Sequence, residues 1–181
     1  MVTKEQYETL LSLAMRTIHA AQLEQDVQML QQNYPKAFAL SKRFYCATYR
    51  TACDSVMINI HKLYHKTAKS LTLHSIIEDV KDDTDARYER TKQMRDFLKQ
   101  HKKDIEDIRL LRNGCVAHLS IAPQTLPAPY KTTVMELAQE AYNYIKDTAL
   151  LHHGYGYGEC PHCHDIHKTA YVVEEAQNGK T

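Results

Sequence analysis

Residues 105–118 read IEDIRLLRNGCVAH, and the rest of the chain is interpreted around them. Their apolar side chains recur at the spacing of one helix face, at Ile105, Ile108, Leu111 and Cys115. Asp104 directly precedes the stretch and is predicted to cap it. Gly114 weakens a helix by about 1 kcal/mol relative to Ala and is expected to allow a local bend. The pattern predicts an amphipathic helix that ends in polar residues.

Those polar residues are Arg112, Asn113 and His118. An arginine is a permanent cation that holds a phosphate with a planar fork of donors. A histidine titrates near neutrality and transfers protons, and an asparagine can orient either neighbour. A base for a ribose hydroxyl and a cation for charge on phosphorus are the groups needed to cleave RNA without a metal. In the alternative interpretation, Arg112 complements the helix dipole and His118 is a hydrogen-bonded histidine at the helix end.

Composition narrows the class of protein. With 181 residues and 43% hydrophobic residues, the chain is expected to form one domain with an appendage. A net charge of +1 excludes a general polyanion binder. Contact with nucleic acid would need a local patch, and one run of basic residues offers it: Lys92, Arg95, Lys99, Lys102 and Lys103. Such a run is also typical of a solvated helix face.

The cellular location is predicted from cysteine usage and hydropathy. The five cysteines are an odd number and do not form a disulfide framework, which predicts a reducing cytoplasm. No apolar window is long enough to span a membrane, and residues 1–5 lack the pattern of a signal peptide.

Helical periodicity continues along the chain. Thr3 and Gln6 form a capping box before a helix that ends near Gln31, and a long helix is predicted from about Lys36 to Thr67. Shorter helices are predicted over 70–81 and 86–100. Thr133 and Glu136 form a second capping box for a last helix. We therefore predict an all-α fold, an up-and-down bundle of four to five helices over residues 1–153.

The long second helix contains two pairs of residues with potential chemistry. Cys46 and Cys53 are seven apart on one face and are predicted to be buried core thiols. His61 and His65 are four apart, a spacing that could hold a metal. Neither a third ligand nor the glutamate of a zinc-protease motif is close in sequence, so a structural role is preferred for them.

Residues 154–181 form a second segment of different composition. Cys160 and Cys163 have the spacing that places two thiolates around one tetrahedral zinc, and His164 and His167 could complete the site. His152 and His153 are alternative ligands. The prediction is a structural zinc knuckle; a His-rich tail that binds metal adventitiously and a redox dithiol are the alternatives.

The arrangement Arg112-Asn113-x4-His118 resembles the signature of the HEPN superfamily. In that signature a polar residue follows an arginine, and a histidine lies four to six residues after the arginine. Residues 44–64, followed by 70–73, are similar to the second helix and the following short helix of abortive-infection-type HEPN proteins. The resemblance covers roughly residues 1–150.

The resemblance implies a metal-independent endoribonuclease, a toxin or effector of bacterial or phage defence or of a toxin–antitoxin system. Arg112, Asn113 and His118 would be its catalytic residues, at a cleft between two protomers of a homodimer, and an antitoxin or other regulatory protein would be its partner. Catalysis would require no cofactor and would leave a 2′,3′-cyclic phosphate. Ser120 stands where some family members carry a tyrosine that a partner enzyme modifies, so that route of silencing is not expected.

Two rival hypotheses make different predictions. A non-catalytic module would use Arg112 and His118 to bind RNA or a nucleotide without turnover. A zinc-dependent hydrolase centred on Cys160 would lose activity with a chelator. The ribonuclease hypothesis predicts cleavage that survives chelation.

Overall fold

The computed structural model describes residues 1–66, 70–117 and 130–154, with only the backbone at 115–117 and 130–132. These residues form seven α-helices and one π-helical turn, and they contain no strand. The α-helices are α1 Lys4–Asn33, α2 Pro35–Leu40, α3 Lys42–Tyr64, α4 Leu73–Asp79, α5 Tyr88–Gln100, α6 Lys102–Leu111 and α7 Tyr130–His153. The π-helical turn Arg112–Ala117, called the motif turn below, follows α6 directly.

The all-α prediction is confirmed, with more helical segments than the four to five expected. The additional segments come from short helices and from a break at Ser41, where the backbone leaves helical geometry (φ −129°, ψ 34°). There α2 packs against the end of α1 through Ala37 and Phe38, which join Val27 and Leu30 in a small cluster. The long helix predicted from Lys36 to Thr67 is therefore two helices, α2 and α3.

The long helices pack against one another. The ring of Tyr7 near the start of α1 lies 5.4 Å from the ring of His153 at the end of α7. The hydroxyl of Tyr64 at the end of α3 donates to the carbonyl of Leu137 in the first half of α7, at 2.6 Å. These contacts pack α7 against both α1 and α3, and the three helices contribute most of the buried apolar residues of one core.

The observed starts of the helices confirm one of the three capping predictions and contradict the other two. The capping box of Thr3 and Gln6 is confirmed, since each side chain bonds the backbone of the other. The box predicted at Thr133 is wrong, because α7 begins earlier, at Tyr130. The cap predicted at Asp104 is also wrong, because α6 begins at Lys102 after His101. Asp104 instead bonds the ring of His101, with Oδ2 3.0 Å from Nδ1.

The two cysteines of α3 differ in environment. Cys53 is buried as predicted, and burial raises the pKa of its thiol to about 12, so the thiol stays protonated. The prediction for Cys46 is wrong: this residue is exposed. The buried residues of α3 begin at Ala52, and the first turns of the helix extend past the main core.

A buried arginine joins the smaller helices to the bundle. The side chain of Arg87 donates to Asp79 at 2.9 Å, to Asp85 at 2.7 Å and to the hydroxyl of Tyr7 at 3.1 Å. These contacts connect the start of α5 to the end of α4 and to α1. Among the helices that the structure describes, none is long and apolar enough to cross a membrane.

Candidate functional site

The motif turn is a local departure from α-helical geometry. The backbone N–H of Arg112 is shared between the carbonyls of Ile108 and Arg109, and the π-helical hydrogen-bond pattern continues to Ala117. Gly114 lies inside this turn, where a local bend was expected. Such single-turn π-helices occur frequently at functional sites, because they reposition the side chains that they carry.

The guanidinium of Arg112 has one donor bonded and another buried without a partner among the described residues. Its Nη1 donates to Oδ1 of the adjacent Asn113 at 2.9 Å, so the asparagine amide orients the guanidinium. Its Nε is buried and has no hydrogen-bond partner among the described residues. An unpaired buried donor is costly, and a charged group costs more than a neutral one. Nε of Arg112 is therefore a buried donor that lacks an acceptor among the described residues.

The neighbouring arginine is arranged differently. Arg109 on α6 forms a fork with Glu106, with Nε 2.8 Å from Oε2. The hydrogen bond and positive charge of Arg109 lower the pKa of the Glu106 carboxyl. Nε and Nη2 of Arg109 are thus bonded within its own helix, whereas Nε of Arg112 has no partner among the described residues.

Two histidines of α3 belong to the same region. The rings of His61 and His65 are stacked, with centroids 4.6 Å apart and planes 20° apart. α3 packs against both α6 and the motif turn. Burial lowers the pKa of His61, and the positive charges of His65, Arg112 and Arg109 lower it further. The imidazole of His61 is thus kept neutral near Arg112.

Sequence reasoning considered His61 and His65 only as a metal pair and did not connect them with the motif. Within the described part of the chain, no group of three His, Cys, Asp or Glu residues is placed to hold a metal ion. The residues predicted for zinc, Cys160, Cys163, His164 and His167, lie outside that part. The zinc knuckle and the division into 1–153 and 154–181 stay predictions.

His118 also lies outside the described residues. The structure therefore brings together Arg112 and Asn113, and the placement of His118 beside them stays a prediction.

Two residues of the basic run on α5 and α6, Arg95 and Lys99, have partners within the fold. Arg95 donates to the carbonyls of Ile77 and Val80, at 3.2 and 3.4 Å, and closes the end of α4. Lys99 pairs with Asp96 at 2.8 Å. Lys92, Lys102 and Lys103 are exposed and open to solution partners.

The helical bundle and the arginine-bearing turn agree with a helical protein of HEPN type. The AbiU2 family model of HEPN proteins matches residues 5–153, and the chain belongs to this abortive-infection-type family. No curated protein and no solved structure matches it. The resemblance read from residues 105–118 and 44–64 is confirmed at the level of the family.

Proposed function

We propose that the protein is a metal-independent endoribonuclease that uses Arg112, Asn113 and His118. The observation that carries the proposal is the state of Arg112. Its guanidinium is oriented by Asn113, and its buried Nε has no partner among the described residues. Membership of a HEPN family supports the same reading, because many HEPN proteins are ribonucleases.

The proposed reaction is an internal transesterification of RNA. The 2′-oxygen loses its proton and attacks the adjacent phosphorus, the bond from phosphorus to the 5′-oxygen breaks, and that oxygen gains a proton. The products are a 2′,3′-cyclic phosphate and a 5′-hydroxyl. Arg112 would stabilise the extra negative charge of the pentacovalent phosphorane, as preorganised donors do in other enzymes. His118 would perform one of the two proton transfers.

The biological setting is part of the proposal. The protein would act as a homodimer with the Arg112 and His118 pairs of both protomers facing one cleft. It would work in the cytoplasm as a toxin or effector of defence, held in check by an antitoxin or other regulatory protein. The tail would be folded by zinc without contributing to the reaction.

The test is cleavage of total RNA by the purified protein in EDTA. We expect Arg112→Ala to lower the rate on the order of 100-fold or more, because removing a preorganised donor from a transition-state site has effects of that size. His118→Ala should also abolish cleavage. Arg16→Ala is the matched control, because Arg16 is exposed on α1 and bonds only a carbonyl of its own helix among the described residues.

Product analysis completes the test. Cyclic phosphate termini that form in EDTA identify the proposed chemistry, and a loss of less than threefold in Arg112→Ala contradicts the assignment. RNA that binds the wild type without being cleaved supports instead a non-catalytic binding module, in which the open donor of Arg112 holds a phosphate. Loss of cleavage in EDTA would favour the zinc-dependent hydrolase.

A further inference from the structure

Two unpartnered polar atoms lie on elements that pack against each other. Nδ1 of His61 on α3 and Nε of Arg112 on the motif turn are both shielded from solvent. Neither has a hydrogen-bond partner within residues 1–66, 70–117 and 130–154. An unpaired buried polar atom is unfavourable, because it has lost its hydrogen bonds to water. A ligand that forms hydrogen bonds with both of these atoms would remove this unfavourable contribution. An RNA phosphate with its neighbouring ribose hydroxyl carries suitable groups.

The charges around His61 determine its protonation state. His65 stacks on it from the same helix, and the charges of Arg109 on α6 and of Arg112 on the motif turn also act on it. Glu106 pairs with Arg109 and offsets part of this charge, whereas Arg112 has no acidic partner among the described residues, so a proton on His61 would still add to positive charge. Burial acts in the same direction and is the larger cause of the lowered pKa. His61 is therefore neutral at pH 7 and retains a nitrogen that can accept a proton.

The proposed reaction leaves a role open for such a group. One proton must leave the 2′-oxygen and another must reach the 5′-oxygen, and within one protomer the Arg112-Asn113-x4-His118 motif contains one histidine. A base and an acid acting together require two groups in opposite protonation states at the start of the reaction.

We infer that His61 is a second catalytic histidine of this site and takes the proton from the 2′-hydroxyl of the RNA. The inference rests on the proposed ribonuclease function. As the bond between the 2′-oxygen and phosphorus forms, the proton of that hydroxyl passes to an imidazole nitrogen of His61. The bond from phosphorus to the 5′-oxygen breaks, and a second group, His118 in the proposed mechanism, protonates that oxygen. His65 is a positioning residue, which acts by stacking on His61 and disfavouring its protonation.

The first experiment compares His61→Gln with His74→Gln over a range of pH. His74 is a matched control, because burial also lowers the pKa of this histidine, and its ring bonds the carbonyl of Tyr64 instead of facing Arg109 or Arg112. We expect His61→Gln to lower kcat/KM about 100-fold or more, the usual contribution of a general base. It should also remove the fall of kcat/KM on the acidic side of the wild-type profile. His74→Gln should stay within threefold of the wild type.

The second experiment separates the base from the acid. In an RNA with sulfur in place of the bridging 5′-oxygen, the leaving group is a thiolate that needs no proton. A base is still needed on this substrate, so the loss in His61→Gln should be as large as on ordinary RNA. The loss in His118→Ala should largely disappear. Restoration of His61→Gln by the sulfur substrate would overturn the assignment of His61 as the base.

His65→Ala provides a variant that retains the proposed base. Removing the stacked ring and its charge should raise the pKa of His61 and move the acidic side of the kcat/KM profile to higher pH. An unchanged profile in His65→Ala, or a His61→Gln variant within threefold of wild type, overturns the inference. Failure of the proposed function is a separate result, since the wild type itself would then leave RNA uncleaved in EDTA.

Discussion

Asn113 and Arg112 form the most local contact of the site, because they are adjacent in the chain. The amide oxygen of Asn113 accepts from Nη1 of Arg112 at 2.9 Å, while Nε of the same guanidinium points into a buried region without a described partner. The bond limits the rotamers of a long side chain. A guanidinium held in place loses less entropy when it binds a phosphate.

This contact predicts the effect of substitutions at Asn113. Asn113→Ala removes the acceptor and should lower kcat about 3- to 10-fold, which corresponds to the net value of one hydrogen bond. Asn113→Asp keeps an acceptor at the same position and should retain more activity than the alanine variant. Steady-state cleavage of a defined RNA oligonucleotide measures both. Equal losses in the two variants would show that orientation through the Oδ1 oxygen is not the role of Asn113.

At the scale of elements, the most important polar contact is the one that joins α4 and α5 to α1. The side chain of Arg87 is 4% exposed and bonds Asp79, Asp85 and Tyr7. The hydrogen bond from Arg87 lowers the pKa of Asp85 to about 2. The amino terminus adds a further cation, 3.1 Å from the carboxylate of Asp79.

Removal of Arg87 should therefore weaken the whole bundle. Arg87→Ala leaves Asp79 and Asp85 without their shared cation in a largely buried position, and we expect a loss of about 3–5 kcal/mol in the free energy of unfolding. Urea denaturation measures it. Arg16→Ala, on an exposed surface, should change the same quantity by less than about 0.5 kcal/mol. A decrease of less than about 1 kcal/mol in the free energy of unfolding of Arg87→Ala would contradict this prediction. It would mean that water solvates Asp79 and Asp85 almost as well as Arg87 does.

For the molecule as a whole, partly buried histidines couple the free energy of unfolding to pH. The pKa values of His61, His74 and His152 are all lowered from 6.5, and burial is the largest cause for each. Below pH 6.5 the unfolded chain therefore binds more protons than the folded one. Protons favour the state that binds more of them, so acid favours unfolding.

The free energy of unfolding should consequently fall as the pH decreases through 6.5 towards the folded-state pKa values. Denaturant titrations at a series of pH values measure this slope. The double variant His61→Gln/His74→Gln should show a shallower decline than the wild type, since two of the groups that bind extra protons on unfolding are gone. The pairing of Asp85 with Arg87 is lost only at much lower pH, near 2. Stability that is constant or rises on acidification would contradict the coupling.

Local patterns in the sequence determined the helical class, most helix positions and the residues of the motif. The box of Thr3 and Gln6 and the stripe of α3 from Ala52 to Leu63 depend on residues three and four apart, which the sequence displays directly. Arg112 and Asn113 are adjacent, so their contact was also accessible to sequence reasoning. The family match over residues 5–153 agrees with what these patterns indicated.

Tertiary structure alone decided which helices meet and which side chains they enclose. The break at Ser41 and the exposure of Cys46 depend on where α1 offers a surface for α2 and α3. The approach of His61 to Arg112 depends on the packing of α3 against α6 and the motif turn. Helical periodicity is set by neighbours within a turn, whereas such contacts depend on the burial of apolar surface between segments distant in sequence. For this reason His61 appeared in the sequence as half of a histidine pair, and in the fold as a partly buried imidazole on a helix that packs against the motif turn.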